Sequence, residues 1–154
     1  MDICKHSEFC GGCTYQGIPY EEQLKTKEQE ALDLMQDIEI GTYLGIEGAP
    51  DIYRYRNKME FSFGDMVKGG DMCLGMHQKG RFMSVVTCDE CQIVDTDFNI
   101  LVKEVLGFAN EKGYSFYHKK RHAGLLRNLV VRKGERTKEI LVNIVVTSDE
   151  EFDD

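Results

Sequence analysis

The sequence predicts an α+β domain, an antiparallel β-sheet with packed helices, preceded by a cysteine-rich metal loop and an amphipathic helix. Three observations carry that expectation. Three thiols fall within the first thirteen residues. Apolar residues recur at helical spacing over 19–38 and 95–112. From residue 53 onward, segments that suit strands are separated by glycine-rich turns. A chain of 154 residues is one domain of ordinary size with a core of its own, leaving no room for a second full domain. It divides into a cysteine loop (1–18), an amphipathic helix (19–40), a sheet domain (51–148) and an acidic tail (149–154).

The run Cys4-x5-Cys10-Gly-Gly-Cys13 is too tight for separate disulfides. Gly11 and Gly12 let the backbone fold back so that both flanking sulfurs address one centre. A tetrahedral thiolate site needs a fourth ligand, and Cys88 or Cys91, in Cys-Asp-Glu-Cys, is the expected source. Cys73 lies inside a predicted strand and reads as a small buried hydrophobe, which is also the plainer reading of the others. The apolar runs are too short for a bilayer and no basic-then-apolar leader precedes the thiols, so the expectation is a cytoplasmic protein with no membrane partner. Reduced thiols there favour metal over disulfides.

Pro19 suits the first position of a helix, where its missing N–H costs nothing. The helix is expected to reach about Ile38, with Tyr20, Leu24, Ala31, Leu34, Met35 and Ile38 as its apolar stripe. Residues 41–50 are a loop broken by Gly41, Gly45, Gly48 and Pro50. From Tyr53 the period becomes two: Arg54, Arg56, Lys58, Glu60 and Ser62 alternate with aromatic and apolar residues, predicting a half-buried strand. Met66–Asp71 and Lys79–Gly80 read as turns around strands at 72–77 and 81–87, an antiparallel meander. A helix follows over 95–112, capped by Asp95 or Thr96 and closed by Gly113. Strands at 125–132 and 140–147, joined through Lys133-Gly134-Glu135-Arg136, extend the sheet.

The net charge of −8 argues against a nucleic-acid partner only until its distribution is considered. Residues 51–136 hold 15 Lys+Arg against 11 Asp+Glu, so the acidity sits in the flanks and the middle is basic. Arg54, Arg56 and Lys58 would share one strand face at a repeat close to the phosphate spacing of a single strand. Lys119, Lys120 and Arg121, preceded by Tyr114-Ser-Phe116-Tyr-His118, form a basic loop with aromatic faces on which bases could stack. A solvated charge run is the competing account of both.

In order, Cys4-x5-Cys10-Gly-Gly-Cys13, Tyr20-x2-Gln23-Leu-Lys25-x-Lys27, Tyr55-Arg-Asn-Lys58, Leu74-Gly-Met, Glu90-Cys91-x-Ile93 and Leu126-Arg127-Asn128 resemble the RNA uracil-C5 methyltransferase family across the whole chain. The resemblance implies an S-adenosylmethionine-dependent enzyme making 5-methyluridine in ribosomal or transfer RNA. It also implies a 4Fe-4S cluster on Cys4, Cys10, Cys13 and Cys91; by its charge, Arg127 joins the cations expected to meet RNA phosphates. Cys88 is then spare, although Cys10, Cys13, Cys88 and Cys91 could instead form a zinc site. Such an enzyme also needs a donor-binding strand–helix unit, a nucleophilic cysteine and a base, and none is visible here. The expectation is therefore the cluster-bearing, RNA-contacting portion without its catalytic half, inactive alone. The 19–38 helix would pack on that half, or self-associate in its absence. The alternatives are a non-catalytic zinc or iron–sulfur module that binds RNA or protein, and a redox protein.

Overall fold

Side chains alternate along β1 (Lys58–Asp65), so Met59, Phe61 and Phe63 turn to one face and are buried there, while Glu60 and Ser62 turn to the other. The computed structural model describes residues 3–39, 41–148 and 152. Its five strands pair antiparallel in the order β3-β2-β1-β4-β5, with β2 at Met72–Gln78, β3 at Arg81–Thr87, β4 at Leu126–Lys133 and β5 at Ile140–Val146. Ser62 lies opposite Gly75 of β2 and Asn128 of β4, which fixes the register at the centre of the sheet. The predicted meander and its two-strand extension both hold.

The core forms where one helix crosses one sheet face. Phe61, Leu74, Leu129 and Val131 from the sheet meet Phe98, Val102 and Ala109 of α2 (Thr96–Glu111). Each large side chain removed from water there contributes roughly 1.5–3 kcal/mol. The predicted boundaries of α2 agree with its caps. The Asp95 carboxylate accepts from the Asp97 N–H at 3.2 Å, and Gly113 takes φ 70°, the left-handed turn that ends a helix. Lys133 ties this N-terminus to β4 through ion pairs of 2.9 Å to Asp95 and 2.6 Å to Asp97.

Two expectations are corrected. The first strand begins at Lys58 rather than Tyr53. Arg54 has φ 54°, outside the extended region. The N–H groups of Arg54 and Arg56 donate to the carbonyls of Gln92 and Ile93 at 3.0 and 2.9 Å. The segment therefore pairs with the linker before α2, and Arg54, Arg56 and Lys58 do not form one strand row.

The first helix, α1 (Tyr20–Leu34), stops four residues short of Ile38. Its last turn carries no basic residue, and Asp33 sits at the end where the helix dipole disfavours negative charge. None of its residues is buried, so of the two helices only α2 packs as expected. Loop residues Gly48 and Ala49 cover one end, the Ala49 N–H donating to the Tyr20 hydroxyl at 2.7 Å, while Leu34 is left 84% exposed.

The connection between β4 and β5 falls where the sequence put it, over 134–139. The Gly134 N–H donates to the Glu139 carbonyl, and Lys138 adopts φ 60°. Most of the acidic tail, 149–151 and 153–154, lies outside the described residues. Phe152 packs against Tyr114 and Phe108 at ring-centroid distances of 5.5 and 6.4 Å. Among the described residues no helix is long and apolar enough to cross a membrane.

Candidate functional site

The thiol loop folds as two successive turns and docks on the end of β2. The Ser7 N–H donates to the Cys4 carbonyl at 2.9 Å and the Cys10 N–H to the His6 carbonyl at 2.8 Å, which winds Cys4 and Cys10 back on each other. The Gly11 N–H donates to the His77 carbonyl at 3.0 Å, and the Lys79 N–H to the Phe9 carbonyl at 2.7 Å. A side chain at Gly11 would press on that His77 carbonyl, so this glycine permits a close approach of backbone to backbone. Lys5 pairs with Glu90 at 2.5 Å, joining the loop to the segment that carries the other two cysteines.

That segment is held from two sides. The Cys88 N–H continues the β2–β3 ladder, donating to the Leu74 carbonyl at 3.2 Å. Asn99 on α2 clamps Cys91: its Oδ1 accepts from the Cys91 N–H at 2.9 Å and its Nδ2 donates to the Cys91 carbonyl at 3.2 Å. Cys10 and Cys91 pack at the rim of the core, Cys88 within it. All six cysteines are free thiols.

The thiols perturb one another, as converging groups must. A hydrogen bond from Cys88 at 3.8 Å pulls the Cys10 thiol down to about 6, aided by the Gly12 N–H and opposed by burial. The same bond, together with burial, drives Cys88 strongly up. Burial raises Cys13, and Cys10 and Cys4 raise it further, while the Arg56 guanidinium opposes them. Burial also raises Cys91, with Cys13 and Cys4 adding to it. Cys13 thus feels Cys4 and Cys10, Cys91 feels Cys13 and Cys4, and Cys88 feels Cys10 and Cys91.

Their spacing bears on what they could hold. Bonds of about 2.3 Å to one tetrahedral zinc set sulfurs about 3.8 Å apart. Among the described residues no three His, Cys, Asp or Glu side chains gather closely enough to hold one metal ion. Neither the zinc set Cys10, Cys13, Cys88 and Cys91 nor the cluster set Cys4, Cys10, Cys13 and Cys91 is gathered as a metal centre there. The donor chemistry, all thiol and set on pinned backbone, is that of thiolate-bound zinc and of iron–sulfur groups alike.

The seven cations named from the sequence divide between surfaces. Arg56 borders a hollow of about 370 Å³ beside Cys13, with Tyr15, Tyr20, Tyr53 and Tyr55, and Arg54 borders a second hollow beside Cys91. Lys58 pairs with Glu60 at 3.4 Å. Lys119, Lys120, Arg121 and Arg127 instead share a groove on the open sheet face. Phe61 and Phe63 are core residues, while Tyr53 and Tyr55 keep exposed faces. Two features escaped the sequence reading: the Asn99 clamp, signalled only by a polar side chain between the apolar Phe98 and Ile100, and Phe82, an exposed ring in a hairpin with no local mark of function.

No family model matches the chain. It is 49% identical over 97% of its length to an uncharacterized RNA methyltransferase of Clostridium acetobutylicum, of which that covers 33%. It is 47% identical over 98% of its length to one of Caldanaerobacter subterraneus, covering 34% of that protein. The chain thus spans about a third of the curated relatives it matches. In fold it matches the Pyrococcus abyssi tRNA (uracil-54, C5)-methyltransferase, solved in complex with S-adenosyl-L-homocysteine. The TM-score is 0.74 at 25% identity, covering 92% of this chain and 32% of that one. Its sequence kinship and its fold place the chain in the RNA methyltransferase family, whose members it matches over about a third of their length.

Proposed function

We propose that this chain is the cluster-bearing, RNA-contacting part of a cytoplasmic, S-adenosylmethionine-dependent RNA (uracil-C5)-methyltransferase that makes 5-methyluridine in transfer or ribosomal RNA. The observation that carries this reading is the fold match over 92% of the chain to a tRNA (uracil-54, C5)-methyltransferase. The methyl donor belongs with this reading because that protein was solved with S-adenosyl-L-homocysteine, the donor less its methyl group. Donor binding and uracil activation fall to segments beyond this span.

Cys4, Cys10, Cys13 and Cys91 would hold a 4Fe-4S cluster, which supplies a rigid cross-link between the N-terminal loop and the segment before α2. The chain's own residues prepare that link: Asn99 fixes the Cys91 backbone, His77 fixes Gly11, and Arg56 places positive charge beside Cys13. The alternative is a non-catalytic zinc or iron–sulfur module that binds RNA or protein, and the likeness to RNA methyltransferases does not favour it.

The test uses a full-length protein that carries this span. It is incubated with labelled S-adenosylmethionine and unmodified transfer and ribosomal RNA, which are then digested to nucleosides for mass spectrometry. The expected product is 5-methyluridine, and none from the 154-residue chain alone. Methylation of another base, or methyl transfer by the isolated chain, would overturn this reading.

A further inference from the structure

The sheet face turned away from α2 carries a groove of about 880 Å³, within the range of built ligand sites. Ser62 of β1 and Asn128 of β4 lie in its floor, the Asn128 amide donating to the Ser62 hydroxyl at 3.3 Å. Gly64 continues the floor, and any side chain there would strike Val85, so this glycine lets β3 curl over β1 and form one wall. The other wall is the segment 116–121.

Each wall presents an aromatic ring with a cation over it. Lys119 Nζ lies 5.3 Å from the centroid of Phe82, whose side chain is 67% exposed, and the Arg127 guanidinium lies 4.8 Å from that of Tyr117. Lys120 and Arg121 line the same groove. Among the described residues none of these four cations is ion-paired. The carboxylates in the groove are already engaged, Glu60 by Lys58 and Asp65 by the Gly69 N–H. His77 and His118 also line it, and among the described residues the Nδ1 atom of each is buried without a hydrogen-bond partner.

Unpaired cations above, ring faces at the sides and amide and hydroxyl groups below match the three parts of an unpaired nucleotide: phosphate, base face and base edge. An anion site alone would not need the rings, and an apolar ligand would not need four free cations. We propose that this groove is a single-stranded RNA subsite holding an unpaired nucleotide. Its base stacks against Tyr117 or Phe82, its edge meets Asn128 and Ser62, and its phosphates are held by Lys119, Lys120, Arg121 and Arg127. The subsite lies on the sheet face opposite α2 and the cysteine loop. It rests on the RNA-methyltransferase reading for its choice of ligand, and it adds where on the domain an unpaired base is held.

The test is fluorescence-anisotropy titration of this chain with a labelled hexauridylate at several salt concentrations, with thermal unfolding as a folding control for every variant. Phe82→Ala with Tyr117→Leu removes the ring faces and leaves the cations; it is expected to weaken binding at least fivefold with little change in salt slope. Replacing Lys119, Lys120 and Arg121 by Ala is expected to flatten the log–log salt slope by about two units, at about 0.7 per phosphate contact on a single strand. Should Tyr117→Leu unfold, Phe82→Ala alone with side-chain NMR of His77 and His118 carries the comparison; shifts of both rings on adding hexauridylate are expected. Affinity indifferent to the rings, or imidazole signals that stay put while RNA binds, would overturn the subsite. Failure of 5-methyluridine formation in the full-length protein would instead remove the uracil-C5 reading and leave these binding results standing.

Discussion

The Cys88 sulfur lies 3.8 Å from the Cys10 sulfur and 3.3 Å from the Val86 carbonyl, and its single S–H donates to one of them at a time. Cys88 is 1% exposed, so it faces the core and supports Cys10 from behind. Cys91 stands at the rim with its backbone clamped. Anaerobically purified chain is therefore expected to be brown with about four iron atoms, to lose iron and colour in Cys91→Ser, and to keep both in Cys88→Ser. Iron and acid-labile sulfide assays decide it; bleaching by Cys88→Ser reverses the ligand assignment, and stoichiometric zinc without iron removes the cluster.

The cap of α2 makes a pH prediction. Lys133, the Asp97 N–H and their neighbours hold the Asp95 carboxyl below its usual 3.8. A depressed carboxyl contributes stability that is present above the unfolded-state value and lost as pH falls through the folded-state value. Asp95→Ala should cost about 1 kcal/mol at neutral pH, and its gap to the parent should close below about pH 4. Urea melts of both proteins across that range measure it; a gap that stays constant into strong acid would show that Asp95 contributes nothing through its charge.

Two glycines should respond oppositely to alanine. At Gly75 a Cβ would collide with the Val86 carbonyl and the Cys88 amide, backbone groups that cannot swing aside. A loss of about 1–3 kcal/mol is expected. Gly107 lies inside α2 with open space around it, so Gly107→Ala should stabilise by about 0.5–1 kcal/mol. Melting temperatures moving in the same direction for both would contradict this packing account.

Arg54, Arg56 and Lys58 contact RNA, if they do, from a surface separate from the groove. Their joint replacement by Ala should flatten the salt slope of RNA binding by about two units, and the loss should add to that of the 119–121 triple variant. An unchanged slope would take these three residues out of the RNA-contact surface.

The α1 stripe should draw the isolated chain into dimers. Leu34 and Ile38 are exposed, and each large apolar side chain left in water forgoes roughly 1.5–3 kcal/mol. Light scattering is expected to show concentration-dependent dimers for the parent and monomers for Leu34→Glu with Ile38→Glu. A parent that stays monomeric throughout would leave the stripe to the segments of the full-length protein beyond this chain.

Local patterns were enough to place β2, β3, α2 and the turns among them, because alternation, a capping Asp95 and a closing Gly113 act over a few residues. The thiol spacing likewise announced a shared centre, since Gly11 and Gly12 constrain only their own neighbourhood. Tertiary pairing decided the rest. Arg54 and Arg56 left the first strand because their hydrogen-bond partners, Gln92 and Ile93, lie nearly forty residues further along the chain. Cys88 turned inward because β2–β3 pairing carries it into the core, whereas Cys91, three residues later, is aimed by Asn99 of a helix. Neither Phe82 nor Lys119 shows in sequence that it meets the other across a groove; the folded sheet decides that contact, with Gly64 leaving the space that Val85 of β3 fills over β1.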